Sequence, residues 1–297
     1  MSLSKLPHIF RHPAAALNLP RCIIQCIGIL VLVLTALPLA QAATSGIQCS
    51  DGKASDGIER TRIGQDCFLV QKFEPAVRSV NTKMLVIFMQ GKSLSSAALA
   101  ANRTAAFNLS QQLSASTIAM QRQIYRSATG GAEHTKDDAY TPGNVALMAA
   151  ELDRLRSLNS GKKLLLIGHS DGAVMAALLA SRFPASADAY LLAACPCDLP
   201  KRLQSQDVLT VKIVNGMHGL SPQDEVGSIR AGTRIALVVG NKDDNTLAKF
   251  SEAYVSSLQR QGVKTRLTYA IGATHVSVLR SPEFFMLASQ LTADLSR

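Results

Sequence analysis

Solid apolar blocks alternate along this chain with blocks in which apolar residues recur every three or four positions. Met84-Leu85-Val86-Ile87-Phe88-Met89 is apolar throughout and stops at Gln90-Gly91, the pattern of a strand covered on both faces. Lys163 to Ile167 and residues 188–194, 234–239 and 264–271 predict further strands. Between them, residues 94–114, 144–158, 172–183, 246–261 and 282–295 predict helices. In 144–158, Val145, Met148, Ala149, Leu152 and Leu155 fall on one helical face. Upstream, 58–63 and 66–73 read as an opening pair of strands, and Arg122 to Tyr125 as a weak strand. Segment 127–143, rich in Ser, Thr, Gly and Asp and closed by Pro142-Gly143, reads as a loop. Residues 195–232 form a short insertion in which Ser221-Pro222 marks a helix start. This alternation predicts one α/β domain with a mostly parallel sheet and helices on both faces.

The first 46 residues do not fit that pattern. They carry Lys5, Arg11 and Arg21 but no acid, then a greasy run from Ile27 to Leu37 without a charge, then Ala40-Gln41-Ala42. A basic start, a greasy middle and small residues at the end define a secretory signal. The apolar run is short for a membrane span, which needs about 20 residues. The expectation is a signal peptide over 1–42 and a mature domain over 43–297, periplasmic or secreted, with no stable membrane span after cleavage. Of the formal charge of +10, three basic residues leave with the signal, so the mature chain carries +7. Those charges are scattered, with no Lys/Arg block and few aromatics between them, which argues against a nucleic-acid partner.

Four cysteines remain after the signal: Cys49, Cys67, Cys195 and Cys197. An even number in an oxidising compartment suggests disulfides, and four cysteines allow three pairings. Cys49 with Cys67 would close an N-terminal loop and is the favoured pair. A bridge between residues two apart is strained, so Cys195 and Cys197 are read as free, cross-linked to the first pair, or redox-active. The spacing lacks the two close pairs of a structural zinc site, so no metal is expected.

The chemistry concentrates at Gly168-His169-Ser170-Asp171-Gly172. An apolar strand precedes it and the small-residue helix Ala173-Val174-Met175-Ala176-Ala177-Leu178 follows. Strand, sharp turn and helix are the context a serine nucleophile needs, and the flanks carry more weight than the five letters. The glycines remove side chains that would clash in the turn. The helix start offers positive potential beside a developing oxyanion, with the Asp171 N–H as one donor.

Serine needs a base, and the base an orienting acid. His8 and His12 lie in the signal, His134 precedes the serine and His169 adjoins it, which leaves His218 and His275. His275 follows the last strand through Gly272-Ala273-Thr274 and is the expected base, with His218 a loop or pocket-lining residue. The acid belongs after the preceding strand, at Gly240-Asn241-Lys242-Asp243-Asp244. Asp243 is the expected acid; Asp244 would cap the next helix or meet solvent. Asp198, just past 188–194, is an alternative.

From about Met84 onward, these three segments in this order resemble the α/β-hydrolase family, in the style of its dienelactone-hydrolase and prolyl-oligopeptidase-like branches. The resemblance implies an α/β-hydrolase fold with a short cap insertion, a Ser170/Asp243/His275 triad and no cofactor. It also implies hydrolysis of an ester, thioester or amide in a small acylated substrate, through an acyl-enzyme. A second oxyanion N–H is implied at Gly91 or Lys92, although Gln90-Gly91 stands where the family usually has His-Gly. Alternatives are a prolyl-oligopeptidase-like peptidase and a non-catalytic binding protein on the same fold. The first usually carries a large extra domain, and this chain has room only for 195–232. The second typically lacks a triad member, and this chain keeps all three.

Overall fold

The strands assemble as the apolar blocks dictate. The computed structural model describes residues 52–53, 58–63, 66–77, 83–91, 96–121, 125–126, 132–133, 140–204 and 219–297. The expected signal peptide, Cys49, Lys92, His134 and His218 lie outside these residues, and Cys67 is described in its backbone alone. Strands β1 (Gly52–Lys53), β2 (Ile58–Ile63), β3 (Asp66–Phe73), β4 (Met84–Met89) and β5 (Ser116–Gln121) come first in the main sheet. A two-stranded pair, β6 (Tyr125–Arg126) and β7 (Ala132–Glu133), stands apart from it. Then follow β8 (Lys163–His169), β9 (Ala189–Ala193), β10 (Ile235–Gly240) and β11 (Thr265–Ala270). Among the described residues the main sheet has nine strands in the order β1-β2-β3-β5-β4-β8-β9-β10-β11. From β5 to β11 every neighbouring pair is parallel, whereas β1, β2 and β3 join antiparallel at one edge.

Helices α1 (Ser96–Leu113), α2 (Pro142–Leu158), α3 (Asp171–Arg182), α4 (Leu199–Gln204), α5 (Ala248–Arg260) and α6 (Pro282–Ser296) connect the strands. Two separate cores result, one on each face. Leu85, Ile87 and Met89 of β4 point into the layer filled by α2, α3 and α5, while Met84, Val86 and Phe88 point into that filled by α1 and α6. Side chains alternate across a strand, so a central strand with apolar residues at every position must be covered twice. The α3 helix is buried almost all round, and its run of Ala and Gly lets it lie close on β8 and β9. Among the described residues no helix is long and apolar enough to cross a membrane.

Three local expectations need correction. Of the strand expected at Arg122 to Tyr125, residues 122–124 lie outside the described residues and Tyr125 falls in the separate β6, while the sheet strand β5 at Ser116–Gln121 was not expected. Ser116 and Thr117 interrupt the apolar pattern, yet Thr117 is buried and turns its hydroxyl back to the Ala115 carbonyl at 3.3 Å. Ser221-Pro222 starts no α-helix; a turn and a 3₁₀ segment, Val226–Ser228, follow. The Ser221 hydroxyl is engaged elsewhere, accepting from Leu199 N at 3.2 Å and facing the Cys197 carbonyl at 3.4 Å. Finally, Cys195 and Cys197 stand as a close pair with each other. Ala194, at φ 48°, begins a turn that sets their Cα atoms 5.1 Å apart, inside the usual range for a disulfide.

Candidate active site

Among the described residues, Gly91, Ser170, Asp243 and His275 gather at the C-terminal ends of parallel strands. From β4 the chain crosses to β5 on one side, and β8 lies on the other, so the direction of winding reverses between β4 and β8, the position where ligands bind in open α/β sheets. Gly91 follows β4 and Ser170 follows β8, which puts both at that switch point.

Ser170 has φ 53° and ψ −119°, a conformation that non-glycine residues adopt only when the surroundings hold them there. Its N–H donates to the Ala193 carbonyl of β9 at 2.9 Å, and its own carbonyl accepts from Ala173 at 2.9 Å and Val174 at 3.2 Å. The turn is therefore held at both ends, by the sheet before it and by α3 after it. A Cβ at Gly168 would collide with the Gly172 carbonyl, and one at Gly172 with the Met89 carbonyl. Both glycines are needed because helix and strand touch there. Tyr140, buried against the elbow, donates to the Asp171 carbonyl at 3.4 Å.

His275 Nε2 lies 3.0 Å from Ser170 Oγ, and its Nδ1 lies 2.9 Å from Asp243 Oδ2. The Asp243 side chain is fully buried and that of His275 is 17% exposed, so the imidazole is reachable and the carboxylate is not. The other Asp243 oxygen, Oδ1, accepts from Asn245 N at 3.0 Å and Thr246 N at 2.7 Å. One carboxylate thus closes its own turn with one oxygen and meets the imidazole with the other. The Asp243 and His275 loops are laced to each other: Lys242 N donates to the Ala273 carbonyl at 2.9 Å, and Gly272 N to Asn241 Oδ1 at 2.6 Å. Adjacent ends of two parallel strands make that lacing possible.

The other candidates are placed elsewhere. Asp198 is buried at the start of α4, accepts from Lys201 N at 3.2 Å and pairs with the Lys201 ammonium at 2.8 Å. Asp244 is exposed. Asp171 opens α3, where the first N–H groups of a helix lack intrahelical acceptors. Gly91 packs against the elbow: a Cβ there would stand 2.9 Å from both Ser170 Cβ and the His169 carbonyl. The backbone after β4 can approach Ser170 this closely because the side chain is absent.

Sequence reasoning passed over His169. The structure buries its ring and sets Nε2 2.8 Å from the His275 carbonyl, with the two imidazoles 4.9 Å apart at a tilt of 43°. Burial, reinforced by the neighbouring His275, lowers its pKa to about 3. Its position beside the serine was visible; the direction of its ring was not.

A parallel sheet covered on both faces, a strained serine between strand and helix, and a serine–histidine–carboxylate chain across three strand ends together define an α/β-hydrolase fold. Solved structures agree. Est1E from Butyrivibrio proteoclasticus superposes with a TM-score of 0.59 at 13% identity, covering 81% of this chain and 99% of that one. A thermophilic esterase from Thermogutta terrifontis, solved with propionate bound, gives 0.56 at 17% identity, covering 80% and 94%. Proline iminopeptidase from Mycobacterium smegmatis gives 0.56 at 12%, covering 80% and 98%. At such identities the likeness is one of fold. Neither a protein-family model nor a curated protein sequence matches the chain.

Proposed function

We propose that this chain is an exported serine hydrolase that cleaves ester, thioester or amide bonds of small acylated substrates through an acyl-enzyme on Ser170. The observation that carries the reading is the continuous chain Ser170 Oγ–His275 Nε2, His275 Nδ1–Asp243 Oδ2, at 3.0 and 2.9 Å. Ser170 Oγ attacks the substrate carbonyl carbon while His275 Nε2 takes the hydroxyl proton. Asp243 accepts the Nδ1–H and stabilises the imidazolium. The carbonyl oxygen, now negative, is met by the Asp171 N–H and by an N–H of the segment that begins at Gly91. His275 returns its proton to the leaving alcohol, thiol or amine as the bond to carbon breaks, leaving an acyl-serine. Water then attacks with His275 as base, and the acid product and free serine result.

The order of preference among substrates is esters first. The propionate-bound esterase and the proline iminopeptidase share this fold, so aminoacyl amides form the second arm of the screen. Export rests on the basic start, apolar run and small-residue end of residues 1–42.

The test is covalent labelling by a fluorophosphonate alongside a screen of p-nitrophenyl esters and aminoacyl amides. The parent should be labelled on the peptide containing Ser170 and hydrolyse at least one ester. Ser170→Ala, folded by circular dichroism, should do neither. Labelling of the Ala variant, or an unlabelled and inactive parent, would overturn the assignment.

A further inference from the structure

Two hydrogen bonds join the elbow to the base, and they run between adjacent residues on one side and a single residue on the other. Ser170 Oγ meets the His275 ring, and the His169 ring meets the His275 carbonyl. Together with the peptide between His169 and Ser170, they close a ring that fixes His275 at its side chain and at its backbone. From this geometry we propose that His169 is a positioning residue, whose Nε2–H holds the backbone of the general base at its working distance from the nucleophile.

A carbonyl can only accept, so Nε2 carries the proton and Nδ1 is a bare lone pair. Nδ1 is buried and has no hydrogen-bond partner among the described residues, 3.2 Å from where a Gly91 Cβ would stand. A proton there would be a buried donor with no acceptor beside it, which is costly. The ring is therefore held as the neutral Nε2–H tautomer, the form that keeps the anchor. It also keeps a second positive charge away from the imidazolium that forms on His275, one ring 4.9 Å from the other.

His275 depends on such an anchor because of where it sits. It lies in the turn between β11 and a 3₁₀ segment, Ser277–Arg280, and its side chain must reach Asp243 and Ser170 at once. A displacement of about 1 Å in a reacting group can cost about 100-fold in rate. The Thr274 N–H is spent on Ser277 Oγ at 2.8 Å, which shapes the turn without tying it to β8. The His169 bond ties it there.

This inference rests on the proposed serine-hydrolase reading, and three variants test it. Gln reaches the Nε2 position with an N–H, Phe fills the space without a donor, and Asn carries a donor too short to reach. His169→Phe and His169→Asn should lower kcat by about 30- to 100-fold with KM within about twofold, and slow fluorophosphonate labelling by the same factor. His169→Gln should recover to within about fivefold of the parent. Thermal melts identify any variant that fails to fold; should Phe fail, Asn carries the comparison. An active parent whose Phe and Asn variants keep parent kcat, or a Gln variant as impaired as Phe, overturns this inference alone. An unlabelled, inactive parent overturns the serine-hydrolase reading and this one with it.

Discussion

Replacing Asp243 by Asn removes a charge while leaving nearly every atom in place. Oδ1 is already committed, because it accepts from Asn245 N and Thr246 N at 3.0 and 2.7 Å. Those two donors force the amide oxygen of the replacement side chain to stay where Oδ1 was, since a flipped amide would set NH₂ against two N–H groups. The NH₂ must then face His275 Nδ1, the atom that Oδ2 meets at 2.9 Å in the parent. Nδ1 becomes an acceptor, so the proton moves to Nε2, the nitrogen 3.0 Å from Ser170 Oγ. A protonated Nε2 cannot take the serine proton. The same change in a serine protease lowers turnover about 10⁴-fold, or about 5 kcal/mol of barrier at 1.36 kcal/mol per tenfold.

The side chain is fully buried and the replacement is isosteric, so the variant should fold. kcat on the best p-nitrophenyl ester should fall by a few orders of magnitude with KM little changed, the mark of an interaction made mainly in the transition state. Asp198→Asn and Asp244→Asn serve as controls and should stay within about tenfold of the parent. The first loses a pairing with Lys201, and the second is exposed. An Asp243→Asn enzyme within about tenfold of the parent would refute the argument. A crippled Asp198→Asn beside it would move the acid to the end of β9 and make the Cys195-Pro196-Cys197 turn part of the active-site scaffold.

Two further outcomes follow from the sequence and the buried histidine. Mass spectrometry of exported protein should give a mature N-terminus at Ala43; a chain that begins at Met1 would remove the export reading. Burial holds the His169 pKa near 3 in the folded chain, against 6.5 when unfolded. Because the folded value is the lower one, the unfolded chain binds the extra proton between them. Its contribution is complete above pH 6.5 and is lost as pH falls toward 3, at up to about 1.4 kcal/mol per pH unit. Urea unfolding of the parent should therefore show a steeper loss of stability across this window than His169→Gln, and equal slopes would contradict it.

The framework was legible in the sequence because its signals are local. A central strand buried twice must be apolar at every position, and Met84–Met89 occupies the residues so read. Each member of the serine–histidine–carboxylate chain follows the end of a strand, so strand order alone brought Ser170, Asp243 and His275 to one edge. Where side chains serve distant partners, the local signals misled. Ser221 looks like a helix cap until Leu199 and Cys197, 22 and 24 positions upstream, claim its hydroxyl. Cys195 and Cys197 read as too close to bond, because the sequence does not show the turn that sets their Cα atoms 5.1 Å apart.

His169 marks a different boundary. Its neighbours in the chain are known without a structure, and its role depends on none of them. The partner is a backbone carbonyl 106 positions away, and main-chain acceptors leave no trace in residue identity. Any residue at 275 would present that carbonyl; only the fold of the turn after β11 aims it at β8. The residue type at 169 still carries information, because few side chains combine a donor at that reach with a ring that stays neutral when buried. A histidine beside a serine nucleophile invites comparison with the base it resembles. Here its ring nitrogen meets a carbonyl instead of a reacting hydroxyl, and that contact assigns it to holding the base in place.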